Sequence, residues 1–279
     1  MVKTKRISNI ADIILILMLL VGLGLLLYPS FSDYWNSFHQ SRAINSYIER
    51  VTHIDNSRYY EMLDSAREYN ESLNTGDFRW FLTEEEKEAY NAELNVDERG
   101  NMGYITIDKL NVQLPIFHGT NELTLQSAIG HIEWSSLPIG GVGTHSVLSG
   151  HRGLPSARLF TELDKLKVGD DFILSVLNEV LTYEVDQIRI VEPSDLKEVQ
   201  IVPGKDYCTL VTCTPYGINT HRLLVRGHRV ETQVSGAQVR VVSEARQIDP
   251  NKVAPIIGFP LLVIMFLLFA HKPKKSQFR

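Results

Sequence analysis

Two cysteines, Cys208 and Cys213, lie five residues apart in YCTLVTC, a run rich in β-branched and aromatic residues that predicts a strand over Tyr207–Cys213. An odd separation puts the two side chains on opposite faces. At ~3.3 Å per residue their Cα atoms stand roughly 16 Å apart, far beyond disulfide reach. A free thiol at a strand end is suited to nucleophilic chemistry. The loop Thr214–Thr220 follows, with Pro215, Gly217 and Asn219, and a new strand opens at His221 and Arg222. Antiparallel pairing of these strands would return Arg222 beside Cys213. A guanidinium there favours the thiolate, whose reference pKa is about 8.5, or meets a developing oxyanion. A surface ion pair on an acidic domain is the plainer use of the same arginine.

A thiolate nucleophile also needs a proton acceptor that later protonates a leaving amine. Nine histidines compete. His151 closes the apolar stretch Val147–Gly150, next to Gly153, where strand ends open onto clefts. His145 shares its face by parity, and His221 points away from Arg222. His118, His131 and His228 read as structural. Spacing favours His151 narrowly. Two same-face histidines raise a metal site, but no third ligand stands at a suitable spacing, so no metal is expected.

The elements that would position these residues fall into two groups. Between Ser32 and Leu94 the apolar period is helical. One stretch holds Trp35, Phe38, Ile44, Tyr47, Ile48, Val51 and Ile54, and a second holds Tyr59, Met62, Leu63, Ala66, Tyr69 and Leu73. A capped helix start follows at Thr83 and Glu86. From Met102 the period becomes two. Strands are predicted at 103–108, 112–117, 145–151, 171–177, 181–191, 207–213 and 222–230, with short helices at 122–129 and 156–163. Short Gly- and Pro-marked connections point to an all-β barrel or sandwich behind a helical extension.

The ends of the chain differ from its middle. Lys3, Lys5 and Arg6 precede an uncharged apolar run, residues 13–32, long enough to span a bilayer. Its one small-residue pattern is Ser30, Phe31 and Ser32, so retention is favoured over cleavage as a signal peptide. Residues 253–270 form a second uncharged run, interrupted by Pro255, Gly258 and Pro260 and followed by a basic tail. Positive flanks stay cytoplasmic, which predicts a two-pass cell-membrane protein with its middle outside. That middle carries 32 of the 33 acidic residues and 21 of the 28 basic ones, so nucleic acid is excluded as a partner.

Longer motifs carry a resemblance. Thr144–Pro155 (THSVLSGHRGLP) resembles the histidine motif of sortases, and Thr209–Cys213 (TLVTC) resembles their cysteine signature. Thr214–Gly227 (TPYGINTHRLLVRG) resembles the pilus-assembling class C branch. So do Met102–Ile105 (MGYI), Leu114–Thr120 (LPIFHGT), Leu137–Gly141 (LPIGG) and Leu159–Leu166 (LFTELDKL). The resemblance spans about residues 100–232. It implies an eight-stranded closed sortase β-barrel with short helices, here with an N-terminal helical extension and two flanking transmembrane helices. It implies His151, Cys213 and Arg222 as the catalytic set, with no cofactor and no assigned substrate-binding residues. The implied substrates are pilins or surface proteins bearing an LPxTG-like sorting signal, and the implied acceptor amine is a pilin lysine. Attachment to a peptidoglycan precursor is the nearest alternative, and a non-catalytic membrane-tethered scaffold a more distant one. Many class C sortases carry a lid with an Asp-Pro-aromatic motif. The corresponding stretch here lacks the proline and offers Asp77, Phe78 and Trp80 as candidate lid residues, a helix–helix linker being the other reading. The expected organisation is a cytoplasmic tail (1–12), a span (13–32), the helical extension (33–99), the catalytic barrel (100–232), a linker (233–252), a second span (253–270) and a basic tail (271–279).

Overall fold

The computed structural model describes residues 4–75 and 81–232, together with Pro260 and Ile264. The chain divides into two units, Met1–Gln238 and Val239–Arg279, and the elements below belong to the first. Eight strands close into a barrel: β1 (Asn101–Ile107), β2 (Val112–His118), β3 (Ile129–His131), β4 (Thr144–Ser149), β5 (Asp171–Val176), β6 (Glu179–Val191), β7 (Asp206–Thr214) and β8 (His221–Val230). Their order around the barrel is β1-β2-β3-β4-β7-β8-β6-β5, and β5 closes onto β1. Pairs β2/β3 and β4/β7 are parallel, and the others are antiparallel.

Alternation along each strand sorts side chains into an interior and an outer layer. Ile105, Ile107, Leu148, Cys208, Leu210, Leu223 and Val225 fill the interior with Phe172, Leu174, Tyr183 and Val185. Several outward residues are buried too, because helices cover that side. Met102 and Val176 pack under Leu63 and Ala66 of α2 (Asn56–Thr75) and under Tyr90 of α3 (Glu84–Ala92). The capping box expected at Thr83 is present: Thr83 Oγ1 accepts from Glu86 N, and Glu86 Oε2 accepts from Thr83 N.

The helix α1 (Thr4–Thr52) runs 49 residues, with Pro29 inside it. At ~1.5 Å per residue it is roughly 74 Å long. Its outer half turns one face to the barrel. Asp33 Oδ1 accepts from Arg158 N (2.9 Å), Asn36 Nδ2 donates to Ser156 O (2.8 Å) and Gln40 Nε2 donates to Ser127 O (2.7 Å). Ile44, Tyr47 and Val51 continue that face against Tyr104. Tyr47 Oη donates to Met102 O (2.9 Å) and accepts from Leu177 N (2.7 Å), joining α1 to β1 and to the turn after β5. Trp35 and Phe38, counted with the apolar periodicity of this stretch, are exposed and lie off the packed face.

Two expectations need correction. The molecule is not all-β: α1, α2 and α3 are helices of 49, 20 and 9 residues, and α2, α3 and the C-terminal part of α1 pack on the barrel. A barrel whose outer face is itself apolar requires such a cover. Nor are two flanking transmembrane helices found. Among the described residues one helix, α1, is long and apolar enough to cross a membrane: within Leu17–Thr52 an 18-residue stretch has mean hydropathy 1.4. Apart from Pro260 and Ile264, the second apolar run lies outside the described residues, so the two-pass arrangement is set aside.

Locally, residues 122–129 split into a four-residue helix α4 (Glu122–Leu125), capped by Asn121, and then β3, which the short length of its apolar run had concealed. The stretch 156–163 is a chain of turns and not a helix. Its backbone groups are taken up by Asp33 and Asn36 of α1.

Candidate active site

Strands β7 and β8 pair in the register Cys213↔Arg222, with Thr214↔His221 beyond it. The six residues Pro215–Thr220 form the connecting loop, so the strand–turn–strand pattern brings thiol and guanidinium side by side. Within β7, Cys208 and Leu210 point into the barrel and are fully buried. Val211 and Cys213 face outward, and Cys213 is half-buried. The two cysteines are both free. Burial pushes the Cys208 thiol well above its usual range.

On the other side of β7 lies β4, in the parallel register Val147↔Thr209 and Ser149↔Val211. The ladder continues past the strand end: Gly150 N donates to Val211 O (3.0 Å), and Thr212 Oγ1 donates to Gly150 O (2.8 Å). The pairing itself ends at Ser149↔Val211 and the last backbone bond is at Gly150; continued two residues further, the same register would set His151 level with Cys213. Cys213 therefore occupies the central one of three adjacent chain segments, flanked by those of His151 and Arg222. The His151 Nε2 is buried without a hydrogen-bond partner. Gly150 is required here, because a Cβ would stand 2.7 Å from the ring of Phe160. Arg222 Nη1 donates to the carbonyls of Asn219 (3.3 Å) and His221 (3.2 Å), which hold the guanidinium at the loop.

The other histidines are engaged elsewhere. His145 Nδ1 lies 2.8 Å from Gln200 O and its Nε2 lies 2.7 Å from Thr209 Oγ1. Burial lowers its pKa to about 4, keeping the ring neutral. His131 sits between Ser136 O (2.8 Å) and the Tyr90 hydroxyl (2.9 Å), with a pKa lowered by burial to about 3. His118 bridges the carbonyls of Gly100 and Glu93, and burial lowers its pKa as well. His221 makes its contact with Thr220 Oγ1 (2.9 Å), on the strand face opposite Arg222. Among the described residues no three His, Cys, Asp or Glu side chains are grouped to hold a metal ion. The candidate lid residues Asp77, Phe78 and Trp80 lie outside the described residues.

Sequence reasoning named no substrate-contacting residues. The structure places an apolar cluster on the same outward face as Cys213: Val147, Val211 and Leu224 from the barrel, Val199 and Leu196 from the β6–β7 connection, and Trp134 from the β3–β4 connection. Strand parity could have found the first three. The others arrive through long connections that no local pattern reports.

Known proteins resemble the chain in sequence and in fold. The sortase-domain family model matches residues 105–230. Sortase D of Bacillus subtilis is 31% identical over 131 residues, 46% of this chain and 63% of that protein, so the chain spans less than two thirds of that relative. The crystal structure of sortase C1 from Streptococcus agalactiae is 61% identical, with TM-score 0.66, covering 68% of this chain and 98% of that one. The structure of Clostridium perfringens sortase C with the C-terminal cell wall sorting motif is 42% identical, with TM-score 0.61 and coverages of 68% and 98%. The chain belongs to the sortase family of cysteine transpeptidases, and within it to the pilus-assembling sortase C group.

Proposed function

We propose that the protein cleaves an LPxTG-like sorting signal between Thr and Gly and transfers the acyl group to an amine, a pilin lysine in covalent pilus assembly. The observation that carries this reading is the Cys213↔Arg222 register, supported by the parallel β4–β7 register that runs toward His151 on the other side of β7. In this scheme the Cys213 thiolate adds to the threonine carbonyl carbon, and Arg222 donates hydrogen bonds to the oxygen that becomes negative. The C–N bond breaks as the His151 imidazolium gives its proton to the leaving glycine nitrogen. A thioester and a neutral imidazole remain. His151 then takes a proton from the incoming amine as its nitrogen adds to the thioester carbonyl. The thiolate leaves, and a new amide is formed. Water in place of the amine would give hydrolysis. The apolar cluster around Val199 and Trp134 suits the leucine and proline of such a signal.

Full-length protein in detergent, mixed with a fluorogenic LPxTG-type peptide, tests this. Intact mass is expected to show an acyl adduct on the wild type that is absent in Cys213→Ala. A lysine-bearing pilin fragment is then expected to resolve the adduct faster than a peptidoglycan-precursor amine. No adduct with any sorting peptide would sink the proposal, and the reverse amine preference would favour cell-wall anchoring.

A further inference from the structure

Arg152 has no role in the scheme above, yet its side chain is almost wholly buried, at 10% exposure. Its Nη2 donates to Asp164 Oδ2 (2.6 Å), its Nη1 donates to Thr214 Oγ1 (3.2 Å), and its Nε is buried without a partner. Arg152 is the residue after His151, and Thr214 is the residue after Cys213. Asp164 lies in a 3-10 turn, Leu163–Lys165, beyond the His151 loop. One guanidinium thus joins three segments: Arg152 itself stands next to His151, and its contact Thr214 stands next to Cys213.

Stability does not account for this placement. The partner Asp164 is 49% exposed, and an ion pair so open to solvent contributes little, while burying a guanidinium with one nitrogen unpaired is costly. The loop around it leaves the side chain one course. Gly153 holds φ +80° against the Tyr216 ring, where a Cβ would come within 2.8 Å. Phe160 N donates to His151 O (3.1 Å), and Gly153 N donates to Thr161 Oγ1 (3.1 Å). An arginine fork reaches two acceptors at once from such a fixed stem, which an ammonium does less well.

We propose that Arg152 is a positioning residue: braced by Asp164, it ties the end of the His151 strand to the end of the Cys213 strand through Thr214 and so fixes the spacing of imidazole and thiol. This rests on the assignment of His151 and Cys213 made above.

The test uses the full-length protein with Arg152→Met, Arg152→Lys and Asp164→Asn, each assayed with an LPxTG-type peptide across pH and melted in parallel. Arg152→Met is expected to lower kcat by about 10- to 100-fold with KM changed less than about twofold. Arg152→Lys should recover part of the loss, and Asp164→Asn should fall between. A fully retained kcat and pH profile in Arg152→Met would overturn the proposal. So would equal losses in the Met and Lys variants that track a fall in melting temperature. Alkylation of Cys213 by iodoacetamide, followed against pH, needs no peptide. If the wild type makes no acyl-enzyme, a changed alkylation rate in Arg152→Met still supports the positioning role, and an unchanged rate refutes it.

Discussion

Acid should loosen this barrel well before its carboxylates titrate, and two histidines set the size of the effect. The ordinary value is 6.5; burial holds His131 at about 3 and His145 at about 4. Their carbonyl contacts pull the other way but do not win. Each ring is placed as a neutral imidazole, one nitrogen facing a carbonyl and the other a hydroxyl. As pH falls from 7, the unfolded chain gains a proton on each histidine near 6.5 while the folded protein stays neutral. The stability they contribute is therefore full above 6.5 and lost as pH falls toward the folded values. At pH 5 each has cost about 2 kcal/mol, or about 4 kcal/mol together. His118, lowered by burial, adds in the same sense, whereas Glu93 and Asp206, raised by burial, trim the total. For a folded unit of this size that is a drop in Tm of about 8–16 °C between pH 7 and 5. Thermal melting of full-length Cys213→Ala protein, followed by near-UV circular dichroism from pH 5 to 8, measures it. His131→Asn and His145→Asn should each lower Tm at pH 7 and flatten the slope. A midpoint that moves by less than about 2 °C, or a slope that survives in the double variant, would refute the argument.

Other outcomes follow from single contacts. Tyr47→Phe leaves the Met102 carbonyl and the Leu177 N–H unpaired at a buried joint, and should cost about 2–4 kcal/mol in urea denaturation. Arg222→Lys keeps the charge but loses the fork, so kcat for peptide cleavage should fall about 10- to 100-fold while Cys213 remains alkylatable. Iodoacetamide on the native protein should add one group, at Cys213. Cys208, buried in the barrel with its thiol pushed well above its usual range, should react only after unfolding, as intact mass will show. Asp33→Ala combined with Asn36→Ala removes two ties from α1 to the loop after His151, and should lower kcat more than it lowers Tm.

The parts of this protein that were legible in the sequence depend on short-range rules. Odd spacing put Cys208 and Cys213 on opposite strand faces, and a short loop between two strands was enough to set Cys213 beside Arg222. The capping pair Thr83 and Glu86 marked the start of α3 for the same reason: the groups involved are three residues apart. Residues 129–131 were too few to show a period of two, so β3 went unseen. The stretch 156–163 has helical spacing but is held as turns by hydrogen bonds from a helix more than a hundred residues earlier in the chain.

Local pattern ranked His151 first among nine histidines by a narrow margin, and the family motif around it widened that margin. The parallel β4–β7 register, joining residues 62 apart, runs the chain toward His151 beside the Cys213 strand and sets His145 against Gln200 and Thr209. The burial of Arg152 and the apolar cluster of Val199, Leu196 and Trp134 likewise exist only once the barrel has closed. By itself the sequence determined the thiol, its neighbour across the turn and the periods of the strands, because steric alternation and turn geometry act over a few residues. The tertiary structure alone decided how the segments of β4 and β7 are set against each other and what surrounds them, because strand order and the helical cover are chosen by burial summed over segments distant in the chain.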